Sequence, residues 1–461
     1  MTPTYEELLQ ENSELRRQLL KQEQRIAELT KIVEELRRRG KRQAAPFSKG
    51  PPKSKPLRPG RKRAEHYGER ASRPRPKTVD ERIVVGCPLL CEACQGAVRL
   101  VGKESQYQVD LPVIRTWTTE FVLHYGKCLD CGHRVVGRHP RQSSQAIGVA
   151  GVQIGPGVVS LATYLNKVGG LSYGKIADLL EKMAGLRVAR STLCRALLRT
   201  AAKAQPIYTD LVEAIRRSPV TYPDETGWRV GGLSAWLWAF TNRHETVYSI
   251  RRGRGYAEAA EVLGHGYAGV LGADGWAPYR RFTQATLQTC LTHLSRRCDE
   301  LLETAKAGAA RFPRQVQTIL RAALALRDRR DAGMISPRGV AIAKGRLAAR
   351  MDRLLAGRFT VADNQRFANH LRRNQDGLFV FLDREDVEAT NWPAEHAIRP
   401  AVVNRKSCGG NRTPRGASAQ AVLMSILRTC QQNDLNSISA MQTIIRAPRP
   451  PAYQDLKAHA R

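Results

Sequence analysis

The chain has 461 residues and carries 75 Lys and Arg against 42 Asp and Glu, a formal charge of +33. That length predicts about three to four folded units, and so large a positive charge argues against a chain without a polyanionic partner, nucleic acid before membrane. No apolar run is long enough to span a bilayer and the first residues lack a signal-peptide core, so a cytoplasmic location with no membrane association is expected.

From Tyr5 to Leu36 a heptad pattern runs. Tyr5, Asn12, Leu19, Ile26 and Val33 occupy one seam position, and Leu8, Leu15, Gln22, Leu29 and Leu36 the other. Residues 1–39 therefore read as a coiled coil in which Asn12 fixes register, predicting a homodimer or higher homo-oligomer. The alternative is a single helix packed on its own protein. Residues 40–78, rich in Pro, Lys, Arg, Gly and Ser, read as a basic linker.

Residues 79–145 contain Cys91-Glu-Ala-Cys94 and Cys128-Leu-Asp-Cys131, with a strand-like run from Gln106 to Leu123 between them. In a reducing compartment two such pairs point to metal rather than disulfides, and four thiolates predict a closed, structural zinc site. Cys87, His124 and His133 are read as bystanders. Residues 150–205 then turn helical. Leu171-Ser-Tyr-Gly-Lys-Ile-Ala-Asp-Leu-Leu predicts one helix, Gly185 a break, and Ala189-Arg-Ser-Thr-Leu-Cys-Arg-Ala-Leu-Leu a second helix capped by Ser191. This helix-turn-helix pattern would present Arg190, Thr192, Arg195 and Arg199 to a DNA groove, the alternative being a plain helical hairpin.

Residues 215–435 carry three acidic motifs: Tyr-Pro-Asp224-Glu-Thr-Gly-Trp-Arg-Val, Gly-Ala-Asp274-Gly-Trp-Ala-Pro-Tyr and Asn-Trp-Pro-Ala-Glu395-His-Ala-Ile-Arg-Pro. Val220 to Val230, Leu233 to Thr241 and Glu245 to Arg251 read as three strands with tight turns. A helix from Tyr256 to Leu263 follows, and a short apolar strand delivers Asp274 at its end. That order is the order of a ribonuclease H-like fold, in which the first and fourth strands are neighbours and Asp224 would meet Asp274. The Arg- and Ala-rich stretch at about 298–378 reads as a helical insertion between the second and third acids. Glu395 falls in a helix expected to be capped by Asn391, with Pro393 in its first turn. The predicted architecture is thus α+β and multidomain: a ribonuclease H-like core with a helical insertion, preceded by the coiled coil, the zinc module and the helix-turn-helix. A last helix at about 418–432 covers the core, and 436–461 form a tail.

Carboxylates far apart in a basic chain suit divalent metal chemistry on phosphodiesters. Two magnesium or manganese ions about 3.5–4 Å apart, held by hard oxygen ligands, activate the attacking oxygen and stabilise the leaving one. Arg399, one helical turn from Glu395, is a candidate for a scissile-strand phosphate or for an ion pair with Glu395. Trp276 is a candidate for stacking an extruded base, whereas Trp228, Trp236 and Trp238 read as sheet core. Arg405-Lys406-Ser-Cys-Gly-Gly-Asn-Arg412 resembles a basic, glycine-rich turn that lets a phosphate approach the backbone. Cys290-Leu-Thr-His293 reads as packing with a hydrogen bond, and Asp363, Asp376, Asp383, Glu385 and Asp386 as surface charge.

Asp-Glu-Thr-Gly-Trp-Arg-Val with Trp-Leu-Trp, Asp274-Gly-Trp-Ala-Pro-Tyr, Cys290-Leu-Thr-His293-Leu-Ser-Arg-Arg, and Glu395-His-Ala-Ile-Arg-Pro with Val-Val-Asn-Arg405-Lys406-Ser-Cys-Gly409-Gly410 together resemble the successive motifs of IS66-family insertion-sequence transposases. The resemblance covers nearly the whole chain and implies that Asp224, Asp274 and Glu395 form a DDE triad; it selects Asp224 over Glu225, which alternates to the other strand face. It implies binding of double-stranded element ends and target DNA in the bacterial cytosol or nucleoid, metal-dependent cleavage and 3′-hydroxyl strand transfer, and companion proteins of the same element. Trp392 and His396 depart from the family pattern, which has Asn or a similar residue and Arg there. Two other classes stay open at this point: a DNA-binding regulator or assembly factor of the same fold without cleavage, and a structure-specific nuclease that never joins strands.

Overall fold

The computed structural model describes residues 6, 10, 13–26, 28, 73–449 and 452–454. The chain divides into two compact units, one of Met1–Ser48, Thr119–Lys182 and Leu186–Arg461, the other of Lys49–Thr118 and Met183–Gly185. Residues 13–26 are helical, with Leu15, Leu19, Leu20 and Ile26 exposed along them. The remaining seam positions Tyr5, Leu8, Asn12, Leu29, Val33 and Leu36, and most of the linker, lie outside the described residues.

In the smaller unit the described residues 73–118 carry no strand or helix, and the Cys91–Cys94 turn is closed by a bridge between Leu90 and Ala97. The expected strand over 106–123 does not form. Its apolar side chains Val109, Leu111, Val113 and Trp117 are exposed and its backbone meets no ladder, so β propensity alone has nothing to pair with.

From Thr119 on, the larger unit has first a two-stranded ribbon, β1 (Tyr125–Lys127) and β2 (Arg134–Val136), around the second Cys pair. Four helices follow: α1 (Pro156–Lys167), α2 (Tyr173–Ala184), α3 (Arg190–Lys203) and α4 (Gln205–Arg216). The predicted break at Gly185 is a glycine at φ +64°, a left-handed conformation costly for any residue with a Cβ. Ser191 does not cap α3; Ala189 holds that position with no side-chain bond, and Ser191 lies inside the helix. Leu193, Leu197 and Ala201 bury one face of α3 in a core shared with α1, α2, α4 and the sheet, so this helix is built into the main body.

A mixed five-stranded sheet forms the centre, in the order β5-β4-β3-β6-β7, from β3 (Val220–Val230), β4 (Leu233–Thr241), β5 (Thr246–Arg251), β6 (Val270–Ala273) and β7 (Thr286–Thr289). The first three are antiparallel, while β6 runs parallel to β3 and β7 parallel to β6. Helix α5 (Tyr256–Leu263) makes the crossover that a parallel neighbour requires. Beyond β7 come α6 (Leu291–Thr304), α7 (Arg311–Asp331), α8 (Pro337–Leu355) and α9 (Ala362–Arg373), the helical insertion expected from sequence. They form a second core that reaches the sheet through Val220, Tyr222 and Val270.

Helices α10 (Trp392–Cys408), α11 (Pro414–Gln432) and α12 (Ser437–Arg446) complete the unit. An edge strand leaves alternate N–H groups unpaired, and α11 satisfies two of them on β5: Ser425 Oγ accepts from Tyr248 N at 2.8 Å and Thr429 Oγ1 from Thr246 N at 3.1 Å. Helix α12 lies in what reads as a tail. Its start is marked by Asn436, whose Oδ1 accepts from Ile438 N and Ser439 N at 3.0 Å, and Ala440, Met441 and Ile444 enter the main core.

Candidate active site

Asp224 and Asp274 are brought together by strand register. Val220 pairs with Val270 and Thr221 with Leu271 across the parallel β3–β6 pair; the same offset of fifty, carried three residues further, sets Asp224 level with Asp274, just past the end of β6. The chain turns there in a tight loop, with Asp274 Oδ1 accepting from Trp276 N at 2.9 Å and Gly275 at φ +88°. A side chain at Gly275 would press on His370 of α9, so the loop needs glycine for both conformation and space.

Glu395 arrives from α10. Asn391 precedes this helix, yet its side chain does not cap it; Nδ2 donates instead to Pro223 O at 3.0 Å, next to Asp224, while its backbone N–H donates to Cys290 Sγ at 3.1 Å. Pro393 falls in the first turn as expected. His293 Nε2 stands 3.9 Å from Glu395 Oε1. Burial alone would raise the Cys290 thiol, but hydrogen bonding with His293 and the Asn391 amide holds it below the usual range, and the same pairing raises His293, helped by the charges of Asp274 and Glu395. Cys290 and His293 therefore lie side by side, the packing read from sequence, with Cys290 Sγ accepting from the Asn391 N–H.

Burial first, then the charges of Glu225, Asp274 and Glu395, push Asp224 up to about 7. Among the described residues none of the three acids has a Lys or Arg within ion-pair distance, although the chain holds 75 of them. Glu225 differs from its neighbour: its side chain is 3% exposed, Oε1 accepts from Arg254 at 2.6 Å and Oε2 from the Tyr279 hydroxyl at 3.0 Å. Adjacent carboxylates thus divide into one neutralised inside and one left without a cation. Among the described residues no group of three or more His, Cys, Asp or Glu side chains is drawn together tightly enough to hold one metal ion. The three acids share an electrostatic neighbourhood rather than a closed shell, and they are hard oxygen donors without a counter-charge.

The basic candidates separate into spent and free. Arg405 is spent: Nη1 donates to Thr226 Oγ1 at 3.0 Å and also to Gly227 O, clamping β3 to α10. Trp276 is covered, with the Arg254 guanidinium 4.0 Å from its ring centre and its other contacts in the core. Arg190, Arg195, Arg199, Arg399, Lys406 and Arg412 are exposed, and Thr192, which shares α3 with the first three, is half-buried. Arg399 forms no ion pair with Glu395. Trp392 and His396, the two departures from the family pattern, stack on each other at 5.1 Å, and Arg428 Nη2 lies 2.7 Å from His396 Nδ1. Arg254 shapes the site although no motif marks it, since only the fold brings it between Trp276 and Trp236, whereas Asn391 stands in the third acidic motif but reads there only as a helix cap.

The two cysteine pairs fold alike, each described within its own unit. Cys91 N donates to Gly96 O and Gln95 N to Cys91 O, both 2.8 Å; Cys128 N donates to His133 O and Gly132 N to Cys128 O, both 2.9 Å. Each loop turns through a positive-φ residue after its second cysteine, Gln95 at 59° and Gly132 at 67°. Backbone amides, of Ala93 and Cys94 in one and of Cys131 and Asp130 in the other, hold the first thiol of each pair below the ordinary range and favour the thiolate.

No helix among the described residues is long and apolar enough to cross a membrane. No curated protein matches the chain. The family model described as "Transposase IS66 family" matches residues 151–419, more than half of the chain and inclusive of all three acids, and the chain belongs to the IS66 family of transposases.

Proposed function

We propose that this transposase cuts and joins DNA with Asp224, Asp274 and Glu395 as its DDE carboxylates on a ribonuclease H-like sheet. The observation that carries the reading is the parallel register that sets Asp224 level with Asp274, with the Glu395 charge felt at Asp224. Two magnesium or manganese ions would be held by these carboxylates and would supply activation of the attacking oxygen and stabilisation of the leaving one. The chain's own part is to keep three carboxylates free of Lys and Arg, fix two of them on a rigid sheet, and hinge the third on a helix whose start is tied to β3. Exposed Arg190, Arg195 and Arg199, with Arg399, Lys406 and Arg412, would meet the phosphates of element ends and target. Each cysteine knuckle would offer two thiols to structural zinc, and the 13–26 helix, with its exposed leucines, suits self-association of the chain.

Wild type and the Asp224→Asn, Asp274→Asn and Glu395→Gln variants, incubated with manganese and a labelled duplex bearing the host element's end, test this. Nicked and joined products from wild type alone are expected, with each variant down by at least about a thousandfold. Nicks without joined products indicate a nuclease, and binding with no cleavage even when companion proteins are added indicates a regulator.

A further inference from the structure

The helical insertion contains a groove of about 740 Å³ between the start of α7 and the end of α8. Its floor is apolar, with the Phe312 and Phe359 rings 4.4 Å apart, and Lys306, Arg311, Arg350, Arg353 and Arg358 stand along it, all exposed. No Asp or Glu lines it. Elsewhere on the insertion five cations are matched, Arg297 with Glu300, Arg327 with Asp328, Arg330 with Asp331, Lys344 with Asp383 and Arg366 with Asp363, while unmatched ones such as Arg314, Arg321 and Arg338 line no groove with the five. Among the described residues none of the five groove cations has an ion pair or a side-chain hydrogen bond.

Five like charges collected from two helices and two loops repel one another, a cost that a protein with acids to hand can relieve and here does not. We propose that this groove is a second DNA-binding site, seating the phosphodiester backbone of one strand away from the carboxylates. Arg350 and Arg353, one turn apart on α8, and Arg358 just beyond it present guanidinium forks suited to successive phosphates, and the apolar floor takes the deoxyribose edges. The proposal rests on the transposase reading only for the identity of the polyanion.

Binding of the full-length chain to a random-sequence duplex of about 30 base pairs, followed by fluorescence anisotropy without divalent metal over a salt series, is the test. The Arg350→Gln/Arg353→Gln/Arg358→Gln variant should lower the slope of log K against log salt by about 2 to 3, whereas the triple Lys variant should keep it. An unchanged slope in the Gln variant overturns the site. Should that variant fold poorly, phenylglyoxal modification of the wild type read by mass spectrometry decides instead. DNA should protect Arg350 and Arg353, and equal modification with and without DNA overturns the proposal, as does equal protection by inorganic phosphate at the same ionic strength. Because no cleavage is read, failure of the carboxylate chemistry leaves this outcome untouched, and failure here leaves that chemistry standing.

Discussion

The Tyr222 ring occupies the space that a side chain on Gly272 would need, across the parallel pair β3–β6. Its hydroxyl also accepts from Glu388 N at 2.6 Å in the segment leading to α10. Tyr222 lies two residues before Asp224, Gly272 two before Asp274, and Glu388 shortly before Glu395. One aromatic ring therefore sits at the joint of the three segments that carry the acids.

Gly272→Ala should cost about 2 to 3 kcal/mol, because the colliding atoms belong to a packed ring in a sheet rather than to a flexible side chain. Tyr222→Phe keeps the packing and loses only the bond to Glu388, about 1 kcal/mol. Chemical denaturation measures both. A Gly272→Ala protein as stable as wild type would mean that the ring is free to move.

Asn391→Ala should remove the tie from α10 to the strand of Asp224, leaving Pro223 O without its donor, at about 1 to 3 kcal/mol. Strand cleavage should fall by more than about tenfold while DNA affinity holds, since positioning and not binding is lost. Equal cleavage rates for variant and wild type would assign Asn391 a purely structural part.

Lys167 gives a pH dependence. Buried at the end of α1, with Nζ donating to Gln420 Oε1 at 2.5 Å, it is depressed by burial to about 8 from its usual 10.5. Between those values the unfolded chain binds more protons than the folded one, so this group favours folding increasingly as pH rises from about 8 toward 10.5, and the contribution is lost as pH falls through 8. Lys167→Met should therefore be more stable than wild type at pH 7, by about 2 kcal/mol after loss of the Gln420 bond, with the gap closing by pH 10. A gap that does not move with pH would refute the assignment.

The purified chain should carry zinc, measured by elemental analysis after dialysis. Cys91→Ser or Cys128→Ser should each lower zinc content and accelerate its removal by a chelator, because each takes away the thiol whose charge the knuckle amides support. Full zinc retention in both variants would dismiss the knuckles as ligands.

Much of this architecture is legible in local pattern. Strand alternation, the apolar run ending at Asp274 and the amphipathic pattern of Tyr256–Leu263 mark the first four strands of the central sheet and the crossover helix, because period and length report which face is buried, whereas the short edge strand β7 is not marked. The acidic motifs and paired cysteines stand out because charge and metal chemistry narrow the residue types that serve. Elsewhere local pattern misled. Residues 106–123 have strand composition and no partner, Asn391 has a capping residue's identity and bonds to Pro223 instead, and α12 lies where the sequence reads as a tail.

What the sequence determined by itself was the chemistry on offer: which acids, thiols and cations exist and which periodic segments carry them. Only tertiary structure decided which of those charges cancel. Asp224 and Glu225 are neighbours of like chemistry, yet Arg254, distant in sequence, neutralises one and leaves the other without a cation. Arg405 is consumed by a strand while the groove arginines are not. Coulomb and hydrogen-bond energies depend on distances of a few ångströms between residues far apart along the chain, and folding alone sets those distances.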